Sequence, residues 1–134
     1  MLDIKFIRDN AEAVQKNAHN KGYDVDISTL LKLDAERRDL LNKADELRQK
    51  RNDNIAKSKG GRPTDELIDE GKIIKDQLSE VEPRLKEVDV NFTTLLKKVP
   101  NMAMNDVPIS LNEDDNVVIK TVGDIPKFDF KPKN

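Results

Sequence analysis

Ten positions in the second half of this chain follow one another in steps of four and three without exception. They are Leu67, Gly71, Ile74, Leu78, Val81, Leu85, Val88, Phe92, Leu95 and Val99. Alternating steps of four and three repeat every seven residues, the period of about 3.5 shown by an α-helix that buries one seam against a partner helix. The pattern matters because the composition alone is ambiguous. Charged residues make up 37% of the chain and aromatic residues 4%, which suits either a disordered chain or long solvent-bathed helices. The seam decides for helices. Thr64 is placed to cap this one, with Asp65 and Glu66 in its first turn where the helix dipole favours acids. Pro100 ends it after about 36 residues, roughly 54 Å. Pro83 lies inside and should cost ~3 kcal/mol or kink the helix. The seam continues on both sides, so a kink is expected rather than a stop.

A seam needs a partner, and the preceding segment supplies one. Asp26 is a second cap, with Val25 and Leu30 placed as a hydrophobic staple. From Ile27 to about Lys59 there is neither Pro nor Gly. Leu33, Leu40 and Leu47 repeat every seven residues, interleaved with Leu30, Arg37, Ala44 and Arg51. That predicts a helix of about 33 residues, roughly 50 Å. Gly60-Gly61-Arg62-Pro63 is the strongest break in the chain. Two helices of nearly equal length joined by a short loop fold back as an antiparallel hairpin. Folding about Gly61 and Arg62 brings residue i near 123 − i. Leu47 then falls between Ile74 and Leu78, Leu40 between Val81 and Leu85, and Leu33 between Val88 and Phe92. Ile55 lands beside Leu67 and Ile68, and Arg51 near Gly71, where a small residue leaves room for its stem.

The ends are simpler. Asp3 and Asn10 are placed to cap two short helices, the second ending at Lys21-Gly22. Beyond Val99 the helical period disappears. Val117-Val118-Ile119 with Thr121 and Val122 predicts a short strand. Phe128, Phe130 and Pro132 have nothing large in the chain to bury against. The expected fold is therefore all-α. It is a long antiparallel two-helix coiled-coil hairpin over 27–99, tip at about 59–63, preceded by short N-terminal helices. A C-terminal irregular segment with a short strand follows. The expected division is a helical arm over 1–100 and a connection over 101–134 that belongs with a domain outside this sequence, the chain being a piece of something longer.

Catalytic chemistry finds little footing here. There are no cysteines, hence no disulfide framework, thiolate metal site or Cys nucleophile. His19 is the only histidine, and a metal site needs several ligands. Gly60-Gly61 has neither the spacing of a phosphate loop nor a strand before it. No carboxylate pair stands apart in an apolar setting. The chain alone is expected to be inactive, without metal or cofactor. No run approaches the ~18 apolar residues of a membrane span. The acidic, apolar-poor start argues against secretion or import, so a cytoplasmic place is expected.

Charge distribution says more. The formal net charge is −2, so nucleic-acid binding has to come from a local patch rather than a basic domain. Between Lys43 and Arg62 seven basic residues (Lys43, Arg48, Lys50, Arg51, Lys57, Lys59 and Arg62) face three acidic ones, Asp45, Glu46 and Asp53. That is a net +4 toward the hairpin tip. The returning helix carries nine acidic and six basic residues between Thr64 and Lys98. A solvated coiled-coil face accounts for such a stripe, and so does a phosphate-contacting edge. Few aromatic residues interleave, which disfavours base stacking and suits backbone and shape recognition of folded RNA.

Several ordered motifs resemble one family. Met1-Leu2-Asp3-Ile4-Lys5-Phe6-Ile7-Arg8-Asp9-Asn10 is similar to the opening of bacterial-type seryl-tRNA synthetases. Leu31, Leu33, Asp34, Glu36, Arg37 and Arg38 match the family's Leu-x-Leu-Asp-x-Glu-Arg-Arg pattern, and Leu47-Arg48-Gln49-Lys50-Arg51-Asn52 its Leu-Arg-x-x-Arg-Asn stretch. Pro100-Asn101, Val107-Pro108, Asp114-Asp115-Asn116-Val117, Gly123 and Phe128 to Lys133 resemble its passage into the catalytic domain. The resemblance implies a class II enzyme that uses ATP and Mg²⁺ to attach serine to its tRNA. It implies an N-terminal arm that grips the long variable arm of serine tRNA by backbone and shape, and works across a homodimer. Carried onto this chain, the tRNA-binding candidates are Arg48 and Arg51, then Lys50, Lys57, Lys59 and Arg62. Arg51 has a competing role in packing beside Gly71. ATP and serine sites would lie beyond Asn134, and the dimer contacts mostly there too, so this stretch alone is expected to be a monomer. The competing expectation is a non-enzymatic coiled-coil adaptor or chaperone-like hairpin that binds protein, which needs no ordered motifs after Pro100.

Overall fold

The computed structural model describes residues 1–58, 61, 63–110, 112–124 and 126–131, and among these the regular structure is helical. Helix α1 spans Ile4–Asp9, α2 Ala11–Asn20, α3 Ile27–Lys57 and α4 Asp65–Lys98, with a 3₁₀ turn at Glu113–Asp115. The caps sit where the sequence puts them. The Asp3 carboxylate accepts from the Lys5 N–H at 2.6 Å and Asp26 from the Ser28 N–H at 2.8 Å. Thr64 Oγ1 accepts from the Leu67 N–H at 3.4 Å. Asn10 differs. Its side chain turns back to donate to the Phe6 carbonyl at 3.0 Å, so it closes α1 instead of capping α2.

Helices α3 and α4 pack along their lengths as an antiparallel hairpin. All ten predicted seam positions of α4 are buried or half-buried. Helix α4 runs unbroken through Pro83, which is exposed, so the missing N–H falls on the solvent side. Two apolar clusters hold the hairpin. The distal one joins Ala44 and Leu47 of α3 to Ile74, Leu78 and Val81 of α4. The basal one joins Ile7, Val14 and Ala18 of the short helices to Val25, Ile27 and Leu30, and to Phe92, Leu96 and Val99. Each fully buried Leu, Ile or Val contributes roughly 1.5–3 kcal/mol, so these clusters outweigh the polar contacts between the helices. Arg37 lies between them, its Nε 2.6 Å from Asp89 and its guanidinium 5.3 Å from the Phe92 ring centroid.

Two details of the predicted hairpin change. Asn54, not Arg51, faces Gly71. A Cβ on Gly71 would meet Asn54 Oδ1 at 3.6 Å, while Arg51 is exposed. Asn54 Nδ2 donates to the Leu67 carbonyl at 3.1 Å and to Glu70 Oε2 at 2.9 Å. Near the tip a polar residue thus continues the row of Leu33, Leu40 and Leu47, and pins the register as buried amides do in coiled coils. Ile55 is consequently turned outward, 56% exposed.

The predicted strand at 117–122 does not form. That stretch carries no regular structure, and Val117, Val118, Ile119 and Val122 are exposed. A strand needs a neighbouring edge for its N–H and C=O groups, and none of the described residues offers one. Phe128 and Phe130 are also exposed, their rings 5.3 Å apart against each other.

Candidate nucleic-acid interface

The cations of α3 divide into two kinds. Arg48 belongs to the arm's own architecture. Its Nη2 lies 2.9 Å from Glu82 on α4 and its Nη1 3.1 Å from Asp45. Glu82 first and Asp45 second raise its pKa, so the guanidinium is held as a cation by partners within the hairpin. On the opposite flank of the seam, Arg84 of α4 reaches Glu36 at 2.6 Å. Glu82 and Arg84 are two residues apart, so they leave α4 in nearly opposite directions. One pair ties the helices on each side of the seam, bracketing Pro83. Such exposed pairs add little stability, but together they oppose rotation of one helix on the other.

Lys43, Lys50, Arg51 and Lys57 are different. They are exposed, and the ion pairs among the described residues do not include them. Lys43, Lys50 and Lys57 recur every seven residues, so they line one edge of α3 at intervals of about 10 Å. Glu46 and Asp53 interleave with them, and Asp53 accepts a hydrogen bond from Gln49 at 2.9 Å. Arg51 projects from the other side of the seam. Of the sequence candidates, Lys50, Arg51 and Lys57 are exposed without an ion-pair partner among the described residues, while Arg48 is paired within the hairpin. Lys59 and Arg62 lie outside the described residues. Lys43 joins the row although sequence reasoning counted it only in the net charge. Its spacing of seven from Lys50 and Lys57 was the signal.

At the base, Asp34 is a polar residue that sequence reasoning placed only within a motif. It is 2% exposed. Its Oδ2 lies 3.2 Å from Arg38 Nε and 3.5 Å from Arg8 Nε, without a hydrogen bond to that oxygen. It fastens α1 to α3 by charge. Among the described residues no three His, Cys, Asp or Glu converge as a metal site, and no helix is long and apolar enough to cross a membrane.

A long antiparallel coiled-coil arm, held by an apolar seam with ion pairs on both flanks, standing on a small helical base and carrying exposed cations on its outward edges, defines a class of charged projecting arm. The chain belongs to the seryl-tRNA synthetase N-terminal domain family, which matches over residues 1–103. It is 42% identical over 137 aligned residues to the serine–tRNA ligase of Borrelia recurrentis, covering all of this chain and 32% of that protein. Identity to the Borreliella burgdorferi serine–tRNA ligase is 45%, with the same coverage of both chains. The chain thus spans about a third of the length of the curated relatives it matches. The crystal structure of seryl-tRNA synthetase from Pyrococcus horikoshii complexed with ATP superposes with a TM-score of 0.68 at 32% identity. That match covers 87% of this chain and 28% of the other. Family membership disfavours the adaptor reading.

Proposed function

We propose that this chain is the tRNA-gripping arm of a serine–tRNA ligase, holding the long variable arm of serine tRNA by its phosphates and shape. The observation that carries this is the set of exposed cations on α3 without ion-pair partners among the described residues, in a chain of this family. Lys50, Arg51 and Lys57 are the contacts, with Lys43 extending their row and Lys59 and Arg62 continuing the charge toward the tip. Arg48 acts indirectly, by fixing α3 against α4. A rigid lever of roughly 50 Å with few stacking groups suits a shape reader rather than a base reader.

Residues 1–100 form the arm, and 101–134 the connection toward a catalytic domain supplied by the longer protein. That domain would bind serine, ATP and Mg²⁺ and carry the homodimer contacts. No nucleotide or metal role is proposed for the residues of this chain; among the described residues no three His, Cys, Asp or Glu converge. No step of the ligation is therefore assigned to them.

Fluorescence titration with two tRNAs tests this, one a serine tRNA with its long variable arm and one with a short arm. The long-armed tRNA should bind more tightly, with affinity falling steeply as salt rises. Lys50→Ala or Arg51→Ala should reduce the slope of log K against log[salt] by about 0.7–0.9 for each phosphate no longer neutralised. Equal weak binding of both tRNAs, unaffected by these substitutions, would overturn the proposal.

A further inference from the structure

Two side-chain amides on α2 hold the two places where the chain crosses the base of the hairpin. Gln15 Nε2 donates to the Val25 carbonyl at 3.0 Å, and its Oε1 accepts from the Ile27 N–H at 2.9 Å. Asn17 Nδ2 donates to the Asn101 carbonyl at 3.2 Å, and its Oδ1 accepts from the Ala103 N–H at 2.9 Å. In both cases the amide takes the carbonyl of one residue and the N–H of the residue two further on. Those two groups point to the same edge of an extended segment, so each amide does what a neighbouring strand would do. Gln15 secures the start of α3. Asn17 secures the chain as it leaves α4.

The second clamp has few substitutes. Val99 and Pro100 are buried, but residues 101–109 are exposed. Among the described residues, the hydrogen bonds that tie 101–103 to the arm come from Asn17 and from Lys21, whose Nζ donates to the same Asn101 carbonyl at 3.0 Å. Asn17 itself is only 8% exposed, although its bonds reach 84 and 86 residues along the chain. A buried amide with both its donor and acceptor committed to one short segment has a single arrangement.

We propose that Asn17 is a positioning residue whose amide sets the direction in which the chain leaves the arm, and so the angle between the coiled coil and the segment from Met104 onward. The leverage is large. A swing of about 10° at this point moves the far end of an arm roughly 50 Å long by about 9 Å. The consequence for RNA placement rests on the function proposed above; the clamp itself does not.

The chain has no cysteine, so spin labels can be placed cleanly at Glu46→Cys on α3 and Met104→Cys just past the clamp, both exposed positions. Their separation, about 30 Å along the hairpin, is measured by pulsed electron–electron resonance without RNA, so the result is independent of tRNA binding. The parent pair should give one narrow population. Asn17→Ala should at least double its width while the helical melting midpoint stays within a few degrees. Asn17→Asp gives a second reading, insensitive to any folding defect in the first. At neutral pH its carboxylate opposes the Asn101 carbonyl and the distribution broadens. Below about pH 3, under the ordinary Asp pKa of about 3.9, the protonated carboxyl again offers one donor and one acceptor, and the narrow population returns. The Asn17 parent at each pH controls for Lys21, for the Asp34 cluster and for the other carboxylates of the base. An unchanged width in a folded Asn17→Ala protein, or an Asn17→Asp protein that stays equally narrow or equally broad at both pH values, would overturn the proposal.

Discussion

Replacing Gly71 by Ala should stabilise the arm. Gly71 lies inside α4 with a helical backbone, and the positive-φ glycines among the described residues are Gly22 and Gly123. A helical glycine costs about 0.5–1 kcal/mol relative to Ala, because the unfolded chain gives up more freedom. The added Cβ would meet Asn54 Oδ1 at 3.6 Å, an ordinary van der Waals distance. Asn54 bonds to α4 through Nδ2, so its interactions need not move. The expected gain is about 0.5–1 kcal/mol. With ~2.1 cal/mol/K per residue over about 100 ordered residues, that raises the midpoint of a thermal melt by about 2–5 °C. Circular dichroism at 222 nm measures it directly. A fall in the midpoint would refute the reasoning and restore a notch that Gly71 keeps open for Arg51. The same variant made with Arg51→Ala separates the two. Independent sites add within about 0.5 kcal/mol, whereas a shared notch would turn the loss into a gain once the arginine is gone.

Two further outcomes concern the base. Asp34→Ala should destabilise the chain by about 1–3 kcal/mol in urea unfolding, and Asp34→Asn by less. The carboxylate is buried but its arginine partners are 38% and 51% exposed and can turn to water; no change in either variant would refute the fastening of α1 to α3. The Asp26 cap predicts a pH dependence. Hydrogen bonds from Thr29 first and Ser28 second lower its pKa from 3.8 to about 2. The folded value lies below the unfolded one, so its contribution is present above about pH 4 and is lost as pH falls toward 2. The melting gap between the parent and Asp26→Ala should therefore be full at neutral pH and shrink across that window. A gap independent of pH would show that the charge on the cap is immaterial.

The hairpin was legible because burial is written into each residue's own type. An apolar seam at a 3.5 period names the buried face without knowledge of the partner, and every seam position on α4 came out buried or half-buried. The failures share the opposite character. Asn54 continues the row of Leu33, Leu40 and Leu47, but its hydrogen bonds to Leu67 and Glu70 exist only once α4 is beside it, so a rule that equates seam with apolar passes over it. The run from Val117 to Val122 has the β-branched side chains of a strand, yet pairing depends on an edge that the described residues do not supply. The interface is the clearest case. Counting charge between Lys43 and Arg62 gives a positive stretch but cannot say which cations are already spoken for. Arg48 is bound by Glu82, 34 residues away, and only the register of the two helices reveals it. Once the register is known the cations sort themselves. Arg48 and Arg84 tie the helices together across the two flanks of the seam, while Lys43, Lys50 and Lys57 stand at a spacing of seven with no carboxylate among the described residues paired to them. A charge that the fold does not neutralise remains available to a polyanion. For that reason, geometry rather than composition moves the proposed contacts from Arg48 to the lysine row and Arg51.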